Sequence, residues 1–83
     1  MRIRVKMFAI LKDRSGVNET DLELASGTTV SRAMEEIAGR YRAIADLLPR
    51  IATAVNLAYA QPSMILHDGD ELALIPPVSG GCG

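Results

Sequence analysis

The sequence predicts a single α+β domain, a mixed sheet of four to five strands with one main helix packed across it. Three observations predict it. The first residues alternate charged and apolar side chains with the period of a half-buried strand, and from Val30 the apolar positions are spaced by three and four. Period-two alternation then returns just before the double proline Pro76-Pro77. At 83 residues the chain supports one hydrophobic core and has no length for a second folded unit. Its 48% hydrophobic and 23% charged residues place it among chains that fold rather than remain disordered.

In order along the chain, Ile3, Val5 and Met7 fall on one face of the first strand and Arg2, Arg4 and Lys6 on the other, with Phe8 landing on the polar face. A turn-rich stretch containing Asp13, Ser15, Gly16 and Asn18 follows. Strand pattern resumes with Thr20, Leu22 and Leu24 against Asp21 and Glu23, so the two runs read as a hairpin. Val30, Ala33, Met34, Ile37, Ala38, Tyr41 and Ile44 form one helical stripe, with Thr28 or Thr29 as the cap for its free amides. Glu35 and Glu36 precede Arg40 and Arg42, the order that suits the helix dipole. Gly39 costs a helix about 1 kcal/mol against alanine, which points either to a close packing contact or to an early helix end. Pro49 sets the limit of the helix.

Thr53 to Tyr59 reads as a strand of small residues with Val55 and Leu57 on one face, and Met64 to Leu66 as a brief further strand. Asp68-Gly69 is a turn signal. Leu72 and Leu74 then alternate with Glu71, Ala73 and Ile75 until the prolines stop the ladder. Residues 1–77 are therefore expected to form the domain, and residues 78–83 a flexible, extended tail without apolar periodicity.

Nine basic and ten acidic side chains nearly cancel, so the chain has no broad positive field to gather nucleic acid or an acidic membrane, and neither is expected as a partner. The opening residues lack the apolar run of a signal peptide or a membrane span, which makes the cytoplasm the default compartment. One cysteine, Cys82, and one histidine, His67, cannot form an internal disulfide or a structural zinc site, so no metal is assigned. His67 has no nucleophile at recognisable spacing and reads as part of an exposed turn. Asp68, Asp70 and Glu71 sit in a loop too short for a calcium motif, and no phosphate-cradling glycine loop is present. No side chain is assigned a catalytic role, and no bound cofactor is expected.

Glycines near a chain end ordinarily signal disorder alone. Here they follow a double proline that stiffens the root of the segment, and residues 77–81 can reach roughly 16–18 Å, enough to enter a partner's active site. Glycine also lets backbone pass through a channel that any Cβ would block.

The order of elements resembles that of the small subunit of molybdopterin synthase, a family grouped with the thiamine sulfur carrier and other ubiquitin-like proteins. So do the segments Val5-Lys6-Met7-Phe8-Ala9, Ala54-Val55-Asn56 and His67-Asp68-Gly69-Asp70-Glu71-Leu72, and above all the ending Pro76-Pro77-Val78-Ser79-Gly80-Gly81. The likeness spans essentially the whole chain, and Pro-Pro-Val-Ser-Gly-Gly is specific where a bare Gly-Gly is not. The resemblance implies a ubiquitin-like β-grasp fold and a sulfur-carrying terminus at Gly80-Gly81. An E1-like adenylating enzyme uses ATP to convert the terminal carboxylate to an acyl adenylate, and a sulfur donor, a persulfide enzyme, makes it a thiocarboxylate. Sulfur then passes to a sulfur-accepting synthase subunit, for molybdopterin or another metabolite. The carrier itself is not an enzyme.

Partner contact is expected at Phe8, Tyr59 and Ile75, an apolar patch near the root of the tail, and along Pro76, Pro77, Val78 and Ser79. The sequence departs from the family where Cys82-Gly83 ties the Gly81 carbonyl into a peptide bond. A pro-segment, cut by a zinc protease as in some related carriers, is the favoured explanation. An appended end or a fusion fragment, and a reactive Cys82 thiol, are the others. Two further functions stay open: a ubiquitin-like modifier joined to lysines through Gly81, and an interaction module whose terminus is inert.

Overall fold

The computed structural model describes residues 1–76. Its elements run β1 (Arg2–Met7), α1 (Ala9–Ser15), β2 (Glu19–Glu23), α2 (Val30–Arg40), β3 (Ala52–Val55), β4 (Ala58–Tyr59) and β5 (Glu71–Ile75). The five strands form one mixed sheet in the order β2-β1-β5-β3-β4. β1 pairs antiparallel with β2 and parallel with β5, so the first and last strands lie side by side at the centre of the sheet.

β1 follows its alternation: Ile3, Val5 and Met7 are buried, while Arg2 and Arg4 are exposed. α2 begins where the cap was expected, the Thr29 hydroxyl accepting a hydrogen bond from the backbone N–H of Arg32 at 3.3 Å. Val30, Ala33 and Ile37 of α2 join Ile3, Val5, Met7, Leu22, Val55, Leu72 and Leu74 of the strands in one core. One face of the sheet is thereby covered. Gly39 has nothing within 4 Å of the position its Cβ would take, so it marks an early helix end, one residue before the last, rather than a close contact. The stripe beyond it is carried by two single 3₁₀ turns, Arg42–Ile44 and Leu48–Arg50, which bury Ile44 and Leu48.

Three local expectations are corrected. The stretch between β1 and β2 is not only turn: it contains α1, whose single buried residue, Leu11, packs into the core, and which ends on Gly16 at φ 82°. Thr53 to Tyr59 is not one strand. A two-residue turn at Asn56 and Leu57 splits it into β3 and β4, which moves Leu57 from the core face to 90% exposure. Met64 to Leu66 forms only an isolated bridge, Thr29 to Ile65, although Leu66 is buried.

Candidate functional site

The helix-free face of the sheet divides into a charged and an apolar half. On β1 and β2, Arg2 pairs with Glu23 at 2.9 Å, and Arg4 with Glu19 at 3.2 Å and Asp21 at 3.8 Å; Lys6 reaches across to Glu71 of β5 at 3.2 Å. The arginine pairs are exposed and contribute little to stability, while the Lys6–Glu71 pair is half-buried. The Arg2 guanidinium is held above its usual pKa, first by its hydrogen bond to Glu23 and then by the Glu23 and Asp21 charges, so it remains cationic at every working pH.

The other half is built from small and apolar residues by strand register. Lys6 faces Ala73, Ala73 faces Ala54, and Ala54 faces Tyr59, so these four form one row across four strands. Ala54 and Ala73 are 6% and 8% exposed yet lie outside the helix-side core cluster, because an alanine methyl scarcely rises above the backbone between larger neighbours. The next row holds Ile75, paired with Ala52. Phe8 and Ile75 each follow the last parallel pair, Met7 and Leu74, so two chain segments deliver apolar side chains to one end of the central strand pair. Phe8 is 45% and Tyr59 82% exposed, while Ile75 and Pro76 are half-buried.

Of the expected contact residues, Phe8, Ile75 and Pro76 thus meet where the chain leaves the sheet. Tyr59 lies on the same face but two strands away from Ile75, joined to it through Ala54 and Ala73. Pro77, Val78, Ser79, Gly80, Gly81, Cys82 and Gly83 lie outside the described residues.

Left-handed backbone occurs in two turns that lie at opposite ends of the strands. Ala9, Asn56 and Leu57 are the non-glycine residues at positive φ among the described residues, at 50°, 51° and 71°. Ala9 turns the chain immediately after Phe8, and Asn56-Leu57 forms the tip of the β3–β4 hairpin. Asn56 is braced from below. Its Nδ2 donates to Asp70 Oδ1 at 3.0 Å, and its Oδ1 accepts from the Glu71 N–H at 3.0 Å. Asp70 Oδ2 accepts from the His67 N–H at 2.7 Å, and the His67 side chain is 78% exposed in this turn. Ala54, Ala73 and Leu57 were absent from the residues expected at the site. Asn56 was the available signal, since asparagine tolerates left-handed backbone and reads as a hairpin turn.

No cluster of three or more potential metal ligands occurs among the described residues, and none of them is a buried polar or charged side chain. The helix side carries a groove of about 400 Å³ lined by Val30, Met34, Ala38, Leu48, Ile51 and Pro62. Its polar lining is Ser31, Glu35 and Thr53. None of the described helices is long and apolar enough to cross a membrane.

A mixed sheet with β1 and β5 parallel at its centre, crossed on one face by α2, is the ubiquitin-like β-grasp arrangement. The chain belongs to the ThiS family, whose profile matches residues 5–81. The molybdopterin synthase sulfur carrier subunit of Chlamydomonas reinhardtii is 36% identical over 83 residues, covering 98% of this chain and 100% of that protein. The subunit of the same name from Arabidopsis thaliana is 32% identical over 81 residues, covering 98% of this chain and 84% of that protein. Among solved structures, small archaeal modifier protein 1 of Haloferax volcanii superposes with a TM-score of 0.85 at 26% identity, covering 93% of this chain and 98% of that one.

Proposed function

We propose that this chain is a sulfur carrier whose working group is the Gly81 carboxyl, freed by removal of Cys82-Gly83. The observation that carries the reading is the extent of the family match: it runs through the Pro-Pro-Val-Ser-Gly-Gly ending and stops at residue 81, leaving the last two residues outside it. The names of the two curated relatives agree with it.

The chemistry follows from the poor electrophilicity of a carboxylate. An E1-like partner joins the Gly81 carboxylate to AMP from ATP, releasing pyrophosphate. The terminal sulfur of a donor's persulfide then attacks the carbonyl carbon, and AMP leaves. A second thiol of the donor reduces the resulting acyl disulfide, leaving a thiocarboxylate on the carrier and a disulfide on the donor. The thiocarboxylate is a good sulfur nucleophile, and a synthase subunit holds the acceptor it attacks. None of these steps asks a side chain of the carrier to act as acid, base or nucleophile. Its described surface contributes recognition: Phe8, Ile75, Pro76 and Tyr59 dock the partner while Pro77, Val78 and Ser79 lead to the glycines.

The test is the intact mass of the protein taken from its own cells. The expected species lacks the Cys-Gly dipeptide and has one terminal oxygen replaced by sulfur. A population that keeps its full length, with neither acyl sulfur nor a conjugate, rejects the proposal. A second reading, a modifier joined to lysines through Gly81, is favoured by the likeness to the small archaeal modifier protein. Lysine conjugates in place of thiocarboxylate decide for it.

A further inference from the structure

The chain carries three primary amines, because seven of its nine basic side chains are arginine: the N-terminal amine, Lys6 and Lys12. Two of them are engaged. The half-buried N-terminal amine donates to the Leu24 carbonyl at 2.8 Å, and the Lys6 ammonium lies 3.2 Å from the Glu71 carboxylate in a half-buried pair. Lys12 is exposed and forms no ion pair among the described residues. It also lies beside the root of the tail. Phe8 and Ile75 follow the last pair of two neighbouring parallel strands, which stand about 4.8 Å apart. Lys12 comes one helical turn after Phe8, about 6 Å along α1, and its N–H donates to the Phe8 carbonyl at 3.5 Å. Lys12 and Phe8 line one recess together with Lys6 and Asn18. The Lys12 backbone is therefore on the order of 10 Å from Ile75, well inside the roughly 16–18 Å that residues 77–81 can reach.

We propose that Lys12 is the amine at which this chain acylates itself, taking the Gly81 acyl group of its own tail or of a second copy when the activated carboxyl is not captured by sulfur. The inference rests on the activation of Gly81 read above. An acyl adenylate is an electrophile toward an amine as well as toward a persulfide. The neutral Lys12 amine adds to the Gly81 carbonyl carbon and passes one proton to water. A C–N bond forms, the bond from that carbon to the AMP oxygen breaks, and AMP departs with both electrons of the broken bond. The product is an isopeptide, and neither an oxidant nor a reductant takes part. Tethering favours the chain's own tail, because a short flexible link presents its end at an effective concentration on the order of millimolar. Closure consumes the carboxyl that would carry sulfur. It does so beside Phe8, so the closed carrier also loses access to its docking surface there.

The test uses the chain ending at Gly81, made as an intein fusion and released with mercaptoethanesulfonate, so that Gly81 starts as a thioester without any partner enzyme. At micromolar protein and mildly alkaline pH, intact mass is expected to show a monomer lacking one water relative to the free Gly81 acid. Tryptic mapping is expected to join residues 7–14, uncut at Lys12, to residues 51–81. Lys12→Arg keeps the charge and should slow closure by about tenfold or more, leaving hydrolysis, whereas Lys6→Arg should close at the wild-type rate. A dimer joined through Lys12, growing with protein concentration, assigns the acyl group to a second copy and supports the same site. A branch at Lys6 or at the N-terminal amine, hydrolysis alone in the wild type, or closure of Lys12→Arg at the wild-type rate overturns the inference. Protein from its own cells separates the two levels. If it carries the thiocarboxylate but no Lys12 branch, even under sulfur limitation, only this inference falls. If it carries neither and keeps Cys82-Gly83, the activation of Gly81 and this inference fall together.

Discussion

Replacing Asp70 tests whether hydrogen bonds to its carboxylate hold the polar turn under the β3–β4 hairpin. Asp70 accepts two hydrogen bonds, from the His67 N–H at 2.7 Å and from Asn56 Nδ2 at 3.0 Å, and its side chain is only 13% exposed. Its backbone carbonyl accepts from the Arg4 N–H at 2.9 Å, while Gly69 N–H donates to the Arg2 carbonyl at 2.8 Å. The turn therefore ties the start of β1 to the β3–β4 tip. Hydrogen bonds to a carboxylate contribute roughly 1.5–3 kcal/mol each, but both donors lie where water can replace the oxygen, so about half of that survives. Asp70→Ala should then destabilise the domain by about 2 kcal/mol, which for a chain of this size lowers the thermal midpoint by about 10 °C. Asp70→Asn is the sharper variant. Asparagine keeps the shape, but its NH2 must face either the His67 N–H or the Asn56 NH2, so it should lose most of what alanine loses. Urea and thermal unfolding of both variants give the numbers. If Asp70→Asn stays within about 0.5 kcal/mol of the parent, acceptor chemistry is not what holds the turn, and the reasoning is refuted.

Two more predictions follow from exposure and backbone alone. Gly39→Ala meets open space at the end of α2 and should stabilise the domain by about 0.5–1 kcal/mol, read as a rise in the urea midpoint with unchanged slope; a loss of stability would reveal a constraint at Gly39. Phe8→Ala should weaken partner binding by about fortyfold, because the 45% of a ring of about 200 Å² that is still exposed is worth about 2 kcal/mol on burial. The buried remainder of the ring costs a similar amount of folding stability, so far-ultraviolet circular dichroism at 25 °C must show the variant folded before its affinity is read.

Wherever the apolar period was long and unambiguous, the fold was legible. β1, β2, α2 and β5 lie within one or two residues of their expected places, apart from the last turn of the α2 stripe. There the Gly39 break passes the stripe to 3₁₀ turns that still bury Ile44. The misses have a common physical cause. α1 contributes only Leu11 to the core, so its seven residues leave no repeating stripe among the turn formers around it. Thr53 to Tyr59 keeps period two on both sides of the hairpin, so alternation cannot distinguish one strand from two strands joined at Asn56 and Leu57. Of the candidate site, Phe8 and Ile75 were legible because a large apolar side chain on the polar face of a strand breaks the pattern. Ala54 and Ala73 were not, since an alanine's place on a docking surface depends on its cross-strand neighbours rather than on its own character.

The hydrophobic core and the proposed docking surface lie on opposite faces of the sheet. The helix side is a continuous apolar core without a buried polar side chain among the described residues, which is the arrangement that contributes most to folding. The turns at the strand ends hold Ala9, Asn56 and Leu57 in left-handed backbone, together about 2–4 kcal/mol of conformational penalty, and Phe8, Leu57 and Tyr59 are left in water. A net stability of about 5–15 kcal/mol can carry that penalty only if the core is not also compromised. The parallel pairing of β1 with β5 links the two roles. It buries Val5, Met7, Leu72 and Leu74 on one side, and on the other it brings Phe8 to Ile75 and Pro76, where the chain runs on toward Gly81. A substitution on the helix side should therefore lower stability, whereas Tyr59→Ala, at a side chain that is 82% exposed, should leave the fold intact and weaken only the proposed partner contact. Loss of binding without loss of stability is what a surface maintained for a partner would display and an accidental apolar patch would not.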